Sequence, residues 1–299
     1  KKRFGKEFHD QLIEPFITGI YAGNTRKMSA EHTLKLLWKL EQSHGSIIRG
    51  ILKSKKDKKS KINSFNFPKG LSQLTSKIAD SMGDKLVLNY KVQQIIKSDN
   101  GYEIISKSKK ILCKEIICSV PAYSLRNFIY DRSLISELDK IIYSPVDVFH
   151  FGFKKKNIQN KKQGFGVLTR PSDGKSYLGI LFNSRIFDYV SPKGKELFTV
   201  LVGGERQKHL CEMNPIKLKQ LILEELEDLL GHKGETIIDN HYRWAKGIPQ
   251  FNLDHSNLLN AIENFKNSHS NFHLIGNYFN GVSVSDCIQK SRDLVRIIN

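Results

Sequence analysis

The spacing of apolar positions divides the chain into stretches of helical period and stretches of alternation. Near the start, Phe4, Phe8, Leu12 and Ile13 recur at helical intervals, and Pro15 predicts the end of that helix. Ser29 stands as an N-cap with Glu31 in the first turn. Leu34, Leu37, Trp38 and Glu41 follow at helical intervals, and Gly45 supplies a stop. Over 46–56, Ile47, Ile48, Ile51 and Leu52 share one face with Arg49, Lys53, Lys55 and Lys56 around it, the pattern of a basic amphipathic helix. Another helix carries Leu71, Leu74, Ile78 and Met82 and closes at Gly83.

The period then shortens to two. Strands are predicted at 85–89, 92–97 and 102–106, the last two joined by Asp99-Asn100-Gly101, whose residues tolerate the left-handed backbone of a hairpin turn. A strand opening at Ile116 is ended by Pro121, with a short helix after it. Alternation returns at 146–153, 166–169, 177–182 and 198–202, separated by Gly, Asn and Lys clusters. Leu218, Leu221, Ile222, Leu226 and Leu229 mark a long amphipathic helix over 215–230, capped by Gly231. The chain closes with an apolar strand at 272–275, a glycine turn with a second glycine at Gly281, and a helix through Ile288, Leu294, Val295 and Ile298. The pattern is that of a mixed α/β (α+β) chain.

The 299 residues suffice for one large domain or two ordinary ones, and 39% hydrophobic with 26% charged residues describes a globular chain. The net charge of +18 changes the picture, because it calls for an anionic partner: nucleic acid, an anionic membrane surface or an acidic small molecule. A solvated lysine-rich surface is the plainer alternative. The four cysteines (Cys113, Cys118, Cys211 and Cys287) lack metal-ligand or disulfide spacing and suit a reducing compartment. No apolar run is long enough to span a bilayer, and the lysine-led start lacks a signal-peptide core. A cytoplasmic chain that could still lie on a membrane is expected.

The most specific stretch is Leu274-Ile-Gly-Asn-Tyr-Phe-Asn-Gly-Val-Ser-Val-Ser-Asp-Cys287. A strand, a glycine loop and a helix N-terminus present backbone donors and a positive dipole end to an electron-rich group. An ordinary strand–helix connection would have the same local grammar. The wording, however, closely resembles the C-terminal flavin-contacting segment of the protoporphyrinogen oxidases, oxygen-dependent FAD enzymes of the flavin amine oxidase superfamily. That resemblance implies FAD contacts at Gly276, Asn277, Tyr278, Val282, Ser283 and Val284.

Other segments resemble the same family almost end to end. Glu14-Pro-Phe-Ile-Thr-Gly-Ile-Tyr-Ala-Gly-Asn24 and Lys39-Leu-Glu-Gln-Ser-His-Gly-Ser-Ile-Ile-Arg-Gly50 are similar to stretches beside its substrate cavity, and the second implicates Gly45 in a close approach to substrate. Leu88-Asn-Tyr-Lys-Val-Gln-Gln-Ile95 matches a strand whose valine backbone, here Val92, meets the FAD adenine. Ile116-Ile-Cys-Ser-Val-Pro121 resembles a scaffold turn beneath the cofactor. Gly164–Arg170 and 178–187 match segments in which Leu168 and Phe187 would sandwich a tetrapyrrole; by residue chemistry alone both could be core. The propionates want cations at the rim, and Arg185 is near in sequence. His241-Tyr-Arg-Trp-Ala-Lys-Gly-Ile-Pro-Gln-Phe251 with His255 resembles the stretch that passes the flavin, which makes Trp244 an FAD contact; Asp254 replaces the glycine usual before that histidine.

The G-x-G-x-x-G fingerprint that opens a dinucleotide-binding βαβ unit is absent. The resemblance therefore implies a two-domain flavin amine oxidase-like fold without its N-terminal Rossmann unit, and a fragment of a longer protein. Its expected parts are a helical substrate- or membrane-associated lobe (1–62), FAD-binding pieces (63–133 and 266–299) and a substrate-binding sheet domain (134–265). The implied reaction is FAD-dependent oxidation of protoporphyrinogen IX to protoporphyrin IX in haem biosynthesis, with O2 as acceptor. Coproporphyrinogen III oxidation by the same family and a catalytically inactive membrane- or protein-binding remnant are the alternatives. No catalytic base, metal site or nucleic-acid partner is expected; the tetrapyrrole, O2, an anionic membrane surface and a homodimer are the partners left open. His44, His150, His241 and His255 read as structural or surface residues.

Overall fold

The computed structural model describes residues 5–54, 64–107, 109–279 and 281–298. Phe4 and the end of the basic run beyond Ser54 lie outside them. The chain forms two compact units: Lys1–Arg26, Lys61–Gly83 and Tyr143–Ile248 in the first, and Lys27–Ser60, Asp84–Ile142 and Pro249–Asn299 in the second. The lobe expected over 1–62 is thus shared between both units, and the expected 134–265 domain gives up both of its ends to the second.

The first unit is organised by a five-stranded sheet of order β6-β7-β8-β5-β9, built from β5 (Tyr143–Lys154), β6 (Gly166–Leu168), β7 (Gly179–Leu181), β8 (Lys195–Gly203) and β9 (Ile238–Pro249). β5 and β8 run antiparallel with Phe149 opposite Val200 and Phe151 opposite Phe198. Alternation sends Phe149, Phe151, Phe153, Phe198, Val200 and Val202 into one core, together with Leu218, Ile222, Leu226 and Leu230 of α10 (Pro215–Leu230). Those four helix positions are four residues apart and fully buried, worth about 1.5–3 kcal/mol each. The helix begins where Asn214 accepts from the amides of Ile216 and Lys217, and ends on Gly231 in the left-handed conformation. Sequence spacing predicted these boundaries.

The opening helix does not stop at Pro15. α1 (Gly5–Phe8) passes through a π turn (His9–Ile13) into α2 (Glu14–Tyr21), with Pro15 in the first turn of α2. The wider π turn accommodates a residue that lacks an amide hydrogen and crowds the preceding turn. α6 (Ser72–Met82) ends at Gly83 as expected, but none of its residues is buried.

In the second unit, β1 (Gln94–Ser98), β2 (Gly101–Ile105) and β3 (Lys110–Cys113) form an antiparallel meander whose first turn is the expected hairpin. β4 (Ile116–Cys118) pairs in parallel with β10 (Phe272–Leu274), and α7 (Ala122–Leu125) follows Pro121. Tyr102 ties these parts together: its hydroxyl donates to the Ser270 carbonyl at 2.6 Å and its ring meets Phe272 edge-on. α8 (Arg132–Asp139), capped by Asp131, packs on α11 (His255–Ser268). The strand expected at 85–89 does not form. Leu86, Val87 and Leu88 are exposed, and no strand among the described residues pairs with them. The single helix expected after Ser29 is two, α3 (Ala30–Thr33) and α4 (Lys35–His44), broken by the non-helical backbone of Leu34. α5 (Ile47–Ser54) follows, and α12 (Val284–Ile298) closes the chain.

Candidate cofactor and substrate sites

Gly276, Asn277, Tyr278, Val282, Ser283 and Val284 come together where β10 turns into α12. Tyr278 is fully buried, and a Cβ on Gly276 would lie 2.3 Å from its ring, so glycine is the residue that lets the tyrosine fold under the turn. Gly281 has φ 128°, and a Cβ there would meet the Asp286 carboxylate at 2.6 Å. Ser283 and Asp286 form a reciprocal cap: the Ser283 amide and hydroxyl donate to Asp286 Oδ2 at 3.2 and 2.7 Å, and the Asp286 amide donates to Ser283 Oγ at 3.0 Å. The amides of Val284 and Ser285, which a helix start cannot satisfy from within, sit on an exposed first turn; Val284 is 48% exposed. This donor set fits the ring end of a flavin, whose reduced form carries negative charge at N1 and O2. Nothing in the sequence supplies the glycine fingerprint for its diphosphate.

Half-buried Val92 lies just ahead of β1, on coil that leads into the meander. Trp244 lies on β9 in the first unit, 51% exposed with its ring 4.5 Å from that of Tyr242. Gly45 caps α4 with φ 69°, and a Cβ there would meet nothing within 4 Å. Its backbone conformation explains the glycine.

Leu168 ends β6, 46% exposed, with its side-chain tip against Gly19 and Gly179; a Cβ on Gly19 would lie 2.4 Å from Leu168 Cδ2. Phe187 is half-buried and follows α9 (Asn183–Ile186), with Tyr189 5.8 Å away. Arg185 lies on that helical turn rather than on a strand. Its guanidinium is buried, donating to Glu196 at 2.8 Å and to the carbonyls of Lys162 (2.6 Å) and Asn160 (2.8 Å), 4.8 Å from the Phe182 ring centroid. These contacts make it a strut of the sheet and leave it unsuited to a propionate.

Sequence spacing missed a cavity of about 260 Å³ in the first unit, lined by Thr18, Thr169, Arg170, Lys175, Arg206 and Gln207 among others. Its three cations come from two stretches of the chain, Arg170 and Lys175 in one and Arg206 in the other, and are individually paired: Arg206 with buried Glu14, Arg170 with Asp173 and Gln11, and Lys175 with Asp228 at 3.2 Å. Thr18 Oγ1 is buried there without a hydrogen-bond partner among the described residues. The only local clue was basic residues beside Leu168.

His9, Asp10 and Glu14 bring three potential metal ligands within 4.8 Å. Spacing gave no hint of this group, but Glu14 is already engaged by Arg206 and Thr25, and His9 by Asp10 at 2.7 Å. His150 bonds Thr199 at 2.9 Å inside the sheet. His255 is buried against Phe251 and His32; burial and the neighbouring His32, Lys35 and Lys290 push its pKa down to about 3. Burial raises the thiols of Cys113, Cys118 and Cys211, the last to about 11, while Cys287 lies half-buried on the first turn of α12.

The profile of the family described as "Flavin containing amine oxidoreductase" matches residues 1–299. The mitochondrial protoporphyrinogen oxidase of Nicotiana tabacum is 30% identical, aligned over 96% of this chain and 64% of its own length. The coproporphyrinogen III oxidase of Bacillus subtilis is 24% identical over 99% of this chain and 65% of its own. A solved structure of a candidate protoporphyrinogen oxidase from Exiguobacterium sp. 255-15 superposes with TM-score 0.80 at 20% identity, covering 99% of this chain and 64% of that one. The chain therefore spans just under two thirds of the length of these relatives. With a whole-length profile match and this shared fold, the chain belongs to the flavin-containing amine oxidoreductase family.

Proposed function

We propose that this chain carries the flavin-ring and substrate-facing parts of an FAD-dependent protoporphyrinogen oxidase, which makes protoporphyrin IX for haem biosynthesis. The observation that carries the reading is the exposed, capped start of α12 behind the Gly276 turn, a donor set matched to a ring that gains negative charge on reduction. The names of the relatives support the substrate class.

Six hydrogens leave the porphyrinogen in three two-electron steps. Four of them come from the methylene bridges and two from ring nitrogens; bound FAD would supply the hydride acceptor, with O2 as the final acceptor, reduced to hydrogen peroxide. The protein's part is positioning. Within the second unit, Val284 and Ser285 would direct amides at the ring and Val92 would offer backbone to the adenine. Within the first unit, Leu168 and Phe187 would offer apolar walls to the macrocycle. Arg170, Lys175 and Arg206 are our candidates for its carboxylates, because their cavity includes Thr169, next to Leu168. Coproporphyrinogen is the second reading, favoured by the alignment with the Bacillus enzyme.

An anionic membrane surface, on its cytoplasmic side, is a further proposed partner: α5 exposes Ile48 and Leu52 with Arg49 and Lys53 beside them. No helix among the described residues is long and apolar enough to cross a membrane.

The test is the visible spectrum of the chain with excess FAD, followed by porphyrin fluorescence from each porphyrinogen. A bound-flavin spectrum with fluorescent product is expected; a folded, colourless chain would oppose the reading. Phe187→Ala is expected to weaken protoporphyrin binding about tenfold, roughly 1.4 kcal/mol, with flavin retained. Unchanged binding would remove Phe187 from the macrocycle wall.

A further inference from the structure

Lys290 lies in the second turn of α12, and its side chain reaches back past the start of its own helix. Nζ donates to the carbonyls of Gly276 at 2.8 Å, Gly281 at 3.1 Å and Phe279, and stands 5.1 Å from the Phe279 ring centroid. An ammonium has three donors, so these carbonyls saturate it. Among the described residues no carboxylate lies within ion-pair distance of Nζ. The charge is therefore met at contact distance by neutral dipoles, with Asp286 acting on it only from farther off, and burial pulls its pKa below the ordinary lysine value.

The planarity of the peptide unit gives this clamp a consequence. In a trans peptide the carbonyl and the following amide point in opposite directions. Drawing the Gly276 carbonyl toward Nζ turns the Asn277 amide away from it, and drawing the Gly281 carbonyl inward does the same for Val282. Among the described residues neither amide has a hydrogen-bond partner. Two backbone donors are thus held outward beside the exposed first turn of α12, with a fixed positive charge behind them.

We infer that Lys290 is a positioning residue for the cofactor: it holds the Asn277 and Val282 amides outward as a preformed donor pair and favours the reduced, anionic ring. The inference rests on the flavin reading above, but its mechanical half can be tested without flavin. In the flavin-free 299-residue chain, Lys290→Met is expected to lower the NMR order parameters of the Asn277 and Val282 amides from the rigid range, about 0.85, to below about 0.6, with those in β4 and α11 unchanged. Equal order parameters would overturn the clamp whether or not the chain binds flavin. With FAD, Lys290→Met is expected to lose at least tenfold more affinity for the reduced than for the oxidised cofactor. Lys290→Arg, which keeps the charge, is expected to restore that ratio. A ratio that is the same in all three proteins would overturn the electrostatic half. If the order parameters respond but wild type takes up no flavin, the cofactor reading fails and the clamp stands as a feature of the turn alone.

Discussion

α10 of the first unit and α12 of the second both carry apolar residues at helical spacing, yet they use them differently. α10 buries Leu218, Ile222, Leu226 and Leu230 completely against the phenylalanine face of the sheet. α12 buries none of its residues, and Ile288, Val295 and Ile297 are exposed. The sheets repeat the contrast: five strands cover one another in the first unit, whereas β4 and β10 have only each other. Apolar periodicity tells which face of a helix is sticky, and it says nothing about whether anything covers that face. Uncovered apolar faces occur in both units: α6 of the first, like α12, buries none of its residues and exposes Ile78 and Met82.

This contrast can be broken by substitution. The largest effect is expected for Arg185→Ala, which leaves Glu196 buried and uncompensated behind the sheet; a loss of about 3–5 kcal/mol in denaturant melts is expected. Leu226→Ala should cost about 2–5 kcal/mol, because α10 cannot collapse around the hole. Next comes acid sensitivity of the second unit. His255 has its pKa pushed below the ordinary 6.5, to about 3, so on acidification the unfolded chain takes up this proton first. Its contribution is intact above pH 6.5 and is lost as the pH falls from 6.5 toward 3. The melting temperature should fall over that window in wild type and fall less in His255→Gln; parallel curves would mean that this imidazole does not couple to folding. The smallest effect, within about 0.5 kcal/mol, is expected for Ile288→Ala. A loss there as large as that of Leu226→Ala would abolish the contrast.

The first unit was the more legible in sequence. β5, β8 and α10 have two-faced or one-faced burial patterns that a periodic reading detects, and their expected extents lie close to those found. The segment at 85–89 has a strand-like composition but no neighbour to pair with among the described residues, and pairing is what makes a strand. Pro15 misled because a π turn absorbs it, and Leu34 because one residue's dihedrals break an otherwise continuous pattern. The C-terminal turn was legible as wording, whereas the reciprocal Ser283–Asp286 cap was found only in the structure. Lys290 was not legible, since a lysine on a polar helix face looks solvated until the side chain is seen folded onto three carbonyls. The same applies to Arg170, Lys175 and Arg206, which only the fold brings to one cavity.

The placement of the four cysteines gives this chain a built-in reporter. At neutral pH the raised thiols of Cys113, Cys118 and Cys211 are poor targets for a thiol-directed dye, and Cys118 and Cys211 are buried as well. Cys287 stands half-buried on the first turn of α12, one residue beyond the capping Asp286. A fluorophore attached there, in the unaltered sequence, would sit within a few residues of the proposed ring contacts, so cofactor arrival could be followed in real time by quenching.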